Sequence, residues 1–373
     1  MRHVTLRSLR VVSAFCIALV TLVSATPAVE AAAKRSAKST ATSRTVAKTR
    51  ATRTPARATK TRATAAKRAS AARTTSAARR RAVARSRAAA RAREARELAM
   101  PRFKVDGMGR EVPSPRAAAA IIYDPETNEV LFEENAQELR SIASITKVMT
   151  ALVFLESLAD PTVPVTIERA DVMRASTTYL RAGYTVSVDQ LLHLLLIGSD
   201  NAAARVLARV SPHGSDGFIT RMNEKARELG LLQTHYDDPS GLLSGNVSSA
   251  FDQARLIAYA SADDRIGGLM RKSEFDFTPA KRSVHVSSTN RLIRQGGIDV
   301  LGGKTGFISS SGYCLATLIR VPQTGRQLAM VVLGARSNAA RFSETKHLYN
   351  WVNTHILTAA GADAGVVLQQ QQQ

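Results

Sequence analysis

Ser144 and Lys147 lie three residues apart in SIASITKVMTALVFL, a stretch whose other side chains are apolar or small. Ile142, Ile145, Met149 and Leu152 recur at the spacing of an amphipathic helix, and the added Val148, Val153, Phe154 and Leu155 predict that this helix is buried. A buried, unpaired ammonium is costly, so Lys147 must reach out to water, find a partner, or lose its proton through a lowered pKa. Residues three apart share a helical face. A desolvated Lys147 amine there can take the Ser144 hydroxyl proton, which would make Ser144 a nucleophile. The pair alone is not specific: Ser343 and Lys346, in FSETKHLYNW, repeat the spacing.

Two more motifs follow the first pair. In LLHLLLIGSDNAAARVLARV a helix from Val188 breaks at Gly198, and Ser199-Asp200-Asn201 opens the next one; Ser, Asp and Asn are also ordinary helix N-caps. In VLGGKTGFISSSGYCL, Lys304-Thr305-Gly306 opens a strand after two glycines, a place where an exposed edge lysine is common. Each is weak by itself. A serine three before a lysine on an early helix, then S-D-N at a helix junction, then K-T-G on a strand, is an ordered set with known mechanics in acyl-transfer enzymes. The order also selects Ser144 over Ser343, because no such pattern follows Ser343.

The elements that must hold these groups are readable in outline. AAAAIIYDPETNEVLFEENA reads as two strands joined at Asp124, Pro125 and Asn128. GYCLATLIRVP and RQLAMVVLGA read as two more around Gln323-Thr324-Gly325, and a last helix is expected from about Arg341 to Leu357. Strands at both ends with helices between them predict one α/β domain whose sheet is closed by its termini.

Charge divides the chain. Of a net +22 over 373 residues, most lies between Lys34 and Met100, with 21 Lys or Arg against two Glu. That Ala/Ser/Thr/Lys/Arg stretch has too little apolar bulk for a core and is expected to be disordered over residues 26–100, with transient helix from Ala77 to Leu98. Ahead of it, Arg2, Arg7 and Arg10 precede the apolar run VVSAFCIALVTLV and then small residues, the pattern of a secretory signal peptide, here assigned to residues 1–25. The run is short for a membrane span, so no stable span is expected after processing. Behind an export signal, an anionic envelope polymer is the expected partner of the basic segment, and nucleic acid is not. Cleavage would leave Cys314 as the sole cysteine and no disulfide framework. No His, Cys, Asp and Glu set has metal-ligand spacing, and neither metal nor cofactor is expected. The remaining divisions are a peptidase domain at residues 101–360 and a disordered tail at 361–373.

Residues from about Ala118 to Leu357 resemble the low-molecular-weight penicillin-binding proteins, the D-alanyl-D-alanine carboxypeptidase and endopeptidase family. The likeness is carried by SITKVMTAL, RAGYTVSVDQLLHLLLIGSDNAAARVLA, DDPSGL, NVSSAFDQARL and GGKTGFISSSGYCLATL. It implies a transpeptidase-like fold, an antiparallel sheet flanked by helices beside an all-helical lobe, with the site between them. It implies peptidoglycan stem peptides and crosslinks as substrates, and β-lactams as covalent inhibitors. By the same resemblance Ser144 attacks the carbonyl of the penultimate D-alanine, Lys147 is its base, and Ser199 passes a proton toward the leaving amine. Asn201 holds the substrate amide or orients Lys147. Lys304 supplies positive field, Thr305 offers a hydroxyl to the substrate carboxylate, and Gly306 completes the motif. Backbone N–H groups of Ser144 and Phe307 form the oxyanion hole, and Arg336, in LGARSNAARF, takes the place of a carboxylate-binding arginine.

Three other readings compete. A class A-like serine β-lactamase shares the motifs but needs a glutamate in an E-x-x-L-N loop; none occurs between Asn201 and Lys304, where DDPSGL stands instead. A Ser-His-Asp hydrolase is disfavoured because no G-x-S-x-G is present, and His193, His213, His235 and His285 read as ordinary helix or loop residues. A non-catalytic wall-binding protein with a basic tail would be favoured by loss of a motif residue, and all are present. Within the family, S-D-N in place of S-G-N and the short stretch TAAGADAGVVLQQQQQ after Leu357 resemble the endopeptidase branch.

Overall fold

Apolar runs without polar alternation, such as AAIIYD and LAMVVL, suit strands covered on both faces. In the computed structural model, which describes residues 58–157, 160–280 and 283–356, they occupy the middle of a sheet. Strands β1 (Ala119–Asp124), β2 (Glu129–Glu134), β3 (Asp299–Ile308), β4 (Gly312–Arg320) and β5 (Gln327–Ala335) pair antiparallel in the order β3-β4-β5-β1-β2. The first and last parts of the domain thus meet where Ala329 pairs with Tyr123 and Leu333 with Ala119, as the sequence predicts. Alternate residues serve two cores. Ala119, Ile121, Tyr123, Val331 and Leu333 face a helical body, whereas Ala120, Ile122, Met330 and Val332 face the terminal helix.

The longer helices are α1 (Ala58–Ala99), α2 (Lys147–Glu156), α3 (Val188–Leu196), α4 (Asn201–Val210), α5 (Gly214–Glu228), α6 (Ala250–Ala262), α7 (Asp264–Met270) and α8 (Asn338–Trp351). Helix α2 runs through the middle of the body, touching α3, α4, α5 and α6, while α6 lies on β1, β4 and β5 and α8 covers the opposite face. Helix α8 starts before Arg341 because the Ser337 hydroxyl caps it, accepting from Ala340 N at 3.1 Å.

The chain divides into two units, residues 1–73 and 74–373. In the first, the described part is the beginning of α1. The signal segment 1–25, residues 26–57 and the tail 361–373 lie outside the described residues. The basic segment departs from expectation where it is described: residues 58–99 form one continuous helix rather than a disordered chain. Alanine, arginine and lysine are among the best helix formers, and that propensity extends the helix well upstream of Ala77. An Arg93–Glu97 pair at 2.9 Å adds i,i+4 support. In the second unit Leu98 is buried with Val112, Phe132 and Trp351, so packing against the domain begins just before the expected boundary at 101.

Candidate active site

The turn before α2 sets the nucleophile. Ala143–Thr146 is a single 3-10 turn, and the α-helix proper begins at Lys147. Ala143 has φ +48°, a conformation uncommon for a residue with a side chain and typical of functional turns. Gly241 (φ +79°) packs against it so closely that a Cβ there would fall 2.0 Å from Ala143 O.

Lys147 is fully buried and meets three oxygens: Ser144 Oγ at 2.9 Å, Asn201 Oδ1 at 2.7 Å and Ser240 O at 2.5 Å. Burial pulls its pKa down to about 7, against the opposing attraction of Asp238 and Asp200. A neutral amine has two hydrogens and one lone pair. The two carbonyl oxygens can only accept, so they take both hydrogens and leave the lone pair for the Ser144 O–H, the sole donor among the three.

Asn201 is anchored at both polar atoms of its amide. Its Oδ1 accepts from Lys147 while its Nδ2 donates one hydrogen to Ala175 O at 2.7 Å, so Asn201 orients Lys147 and keeps a second Nδ2 hydrogen for a substrate carbonyl. Asp200 carries the structural duty of the S-D-N motif. It caps α4 through Ala203 N (3.0 Å) and binds Tyr179 N (2.6 Å) and Thr178 Oγ1 (3.0 Å), fixing the loop that brings Ser176 and Thr177 to the site. Ser199, at φ +59° between the two helices, is left to face the cleft.

Lys304 on β3 is buried and donates to Ser199 Oγ at 2.8 Å and to Thr305 O at 2.9 Å. Burial, then repulsion from Lys147 and Arg341, pulls its pKa well below that of a free lysine. Thr305 Oγ1 donates to Thr289 Oγ1 at 2.7 Å. A Cβ on Gly306 would come within 2.5 Å of Ile142 O and 3.3 Å of Ser144 N, so only glycine lets the strand approach the nucleophile turn this closely. Ser199, Thr305 and Gly306 line a cleft of about 560 Å³ with Ser144, Ser176, Thr177, Asn201, Leu242, Thr289, Phe307 and Arg341, and no acidic side chain lines it. The described residues contain no grouping of His, Cys, Asp and Glu able to hold a metal ion.

The arginine assignment needs correction. Arg336 is exposed just beyond β5, whereas the arginine lining the cleft is Arg341. Placement in the first turns of α8 carries Arg341 back under β3, where Nη1 donates to Gly306 O (2.9 Å) and Cys314 O (3.1 Å). Ser343 and Lys346 form no second site, since Lys346 Nζ binds Gln295 Oε1 at 2.9 Å.

The motifs gave no signal for Ser240, which contributes a backbone carbonyl, or for the Asp238 that holds it. Burial opposes ionisation of Asp238, yet hydrogen bonds from Ser240, Leu243 and Asn246 together keep its carboxyl below the ordinary range. DDPSGL was visible as a segment; its carbonyl was not.

A family model described as D-alanyl-D-alanine carboxypeptidase matches residues 106–337. D-alanyl-D-alanine endopeptidases of Haemophilus influenzae and Escherichia coli are 34% and 31% identical to this chain, covering 62% and 65% of it and 80% and 79% of their own lengths. A D-alanyl-D-alanine carboxypeptidase of Bacillus subtilis is 29% identical over 66% of this chain and 65% of its own. The crystal structure of the Streptomyces K15 DD-transpeptidase superposes with a TM-score of 0.60 at 28% identity, over 64% of this chain and 97% of that one. With the three motifs converging on one cleft, this chain belongs to the D-alanyl-D-alanine carboxypeptidase family of serine peptidases.

Proposed function

We propose that the chain is a serine D,D-peptidase of the cell envelope that hydrolyses D-alanyl bonds of peptidoglycan, with crosslinks preferred over terminal D-alanine. One observation carries the reading: of the three described groups bonded to Lys147 Nζ, Ser144 alone can donate a proton, and burial pulls the pKa of that amine down to about 7. Ser144 Oγ gives its proton to Lys147 Nζ and attacks the carbonyl of the D-alanine residue. The N–H groups of Ser144 and Phe307 hold the oxyanion. As the C–N bond breaks, the proton held by Lys147 reaches the leaving amine by way of Ser199, which gives its own proton and is reprotonated; water then attacks the acyl carbonyl, its proton passing to the Lys147 amine and on to Ser144 Oγ as the acid is released. Arg341 gives the cleft a positive field and Thr305 a hydroxyl for the free carboxylate beside the scissile amide, while Lys304 holds Ser199.

A β-lactam acylates the same hydroxyl and leaves slowly. A class A-like β-lactamase needs a second base for fast deacylation, and Asp238, the carboxylate that attracts Lys147 most strongly, does not suit that task. Asp238 is consumed by Ser240, Gly241, Leu243 and Asn246, at 2.5 to 2.9 Å. The endopeptidase preference is supported by the two endopeptidase relatives and by the S-D-N motif. The signal segment directs the chain to the periplasm or envelope, and the basic segment holds an anionic envelope polymer. The test is to incubate the enzyme with purified crosslinked and uncrosslinked wall fragments and to identify the bonds cut by mass spectrometry. Conversion of dimers to monomers ahead of D-alanine release supports the reading. Release from pentapeptide with dimers intact moves it to carboxypeptidase.

A further inference from the structure

Phe307 is 48% exposed at the end of a cleft lined mainly by hydroxyls and amides. Its ring is not loose. It stacks on Tyr313 at 4.2 Å and 23°, whose own ring centre lies 5.5 Å from the Arg341 guanidinium, so the Phe307 ring rests on a neighbour that is itself in contact. Leu242 and Ile308 are the other large apolar groups lining the cleft. An exposed aromatic ring held in place within a binding cleft is a surface waiting for an apolar part of a ligand.

Strand geometry fixes which part of the substrate that is. Alternation puts Thr305 and Phe307 on one face of β3, two residues or about 7 Å apart. With the substrate carboxylate at Thr305 and the reacting carbonyl at the Phe307 N–H, the peptide runs along β3 from Thr305 toward Ile308. The residue on the amino side of the cleaved D-alanine then falls beside the Phe307 ring. We propose that the Phe307–Tyr313 stack is a subsite for the aliphatic arm of that residue, the diamino acid of the stem on the acyl side, and that it sets preference for a long side chain there. The proposal rests on the D,D-peptidase reading above.

The experiment uses two peptides ending in D-Ala-D-Ala that differ only in the preceding residue, Nα,Nε-diacetyl-L-lysine or N-acetylglycine, and reads kcat/KM for each with the full chain. Wild type is expected to favour the lysyl peptide about tenfold or more, the scale on which an apolar pocket discriminates. Phe307→Ala should reduce that ratio to near one, Tyr313→Ala should reduce it less, and Phe307→Tyr should restore it. Should Phe307→Ala fail to accumulate, the ratio for Phe307→Ser and Phe307→Tyr carries the same contrast. Equal losses on both peptides, leaving the ratio unchanged, would overturn the subsite. A wild-type enzyme that acylates with neither peptide and cleaves no wall fragment would instead overturn the D,D-peptidase reading itself.

Discussion

Lys147 Nζ lies 2.7 Å from Asn201 Oδ1, and through that contact the base on one helix is aimed by the first residue of another. Removing Asn201 would free one amine hydrogen and let the lone pair wander from Ser144. Asn201→Asp is the more informative change, because it keeps the acceptor and adds a charge. A carboxylate at this distance favours the protonated amine by roughly 1–3 pH units. The acid limb of the rate profile should move upward by that amount, measured as kcat/KM against pH; an unmoved limb would separate Asn201 from the base.

The wild-type profile has its own expectation. Lys147 titrates at about 7 because burial disfavours its charge, and the protonated form cannot accept the Ser144 proton. Acylation by penicillin should therefore rise with pH through about 7 and flatten above it. Lys147→Arg, which stays protonated, should lose about 10²–10⁴-fold. A variant that keeps most of its acylation rate would assign the proton to another group.

Ser144→Ala should abolish both penicillin labelling and peptide cleavage, while Ser343→Ala should stay within a few-fold of wild type. The second serine shares the S-x-x-K spacing, yet its lysine is engaged with Gln295. Gel fluorography with a labelled penicillin gives the answer directly, and labelling retained in the Ser144 variant would remove the site from this cleft.

Gly306→Ala tests the contact between strand and nucleophile turn. Its Cβ would stand 2.5 Å from Ile142 O, and neither backbone can give way without shifting Ser144. A displacement near 1 Å costs on the order of 10²-fold in such sites, so acylation should fall by about that factor with the fold retained by circular dichroism. An undisturbed rate would show that the strand can retreat without cost.

For the basic segment, deletion of residues 34–77 should leave turnover of a small soluble peptide unchanged and weaken retention on wall sacculi at low salt, with wild-type retention itself falling steeply as salt rises. Equal retention of the truncated chain in a pelleting assay would make the segment a bare spacer.

Much of the site was legible because its chemistry is concentrated in side chains of rare combination: Ser144 with Lys147, Ser199 with Asn201, Lys304 with Thr305. Strand runs such as AAIIYD were legible for the related reason that burial on two faces leaves a continuous apolar signature. What escaped reading was carried by the backbone or by helical phase. Ser240 acts through its carbonyl, which no residue type announces. Arg336 and Arg341 sit five positions apart in one segment, and only the start of α8 at Asn338 turns the second toward the cleft and leaves the first outside. The helix over 58–99 was underestimated because a composition too polar for a core is still well suited to an isolated helix.

The pairing of Ala329 with Tyr123 at the middle of the sheet also sets a schedule. Synthesis runs from the amino end, so Ser144, Lys147 and Asn201 emerge early, while β5, which ties β3 and β4 to β1, is made near the last. Non-local pairing of this kind forms late. Until it forms, Lys304 and Gly306 have no rigid strand from which to approach Ser144, and a nascent or prematurely ended chain carries the nucleophile without a reactive cleft. The cleft is therefore complete only once the last strand, β5, has paired with β1.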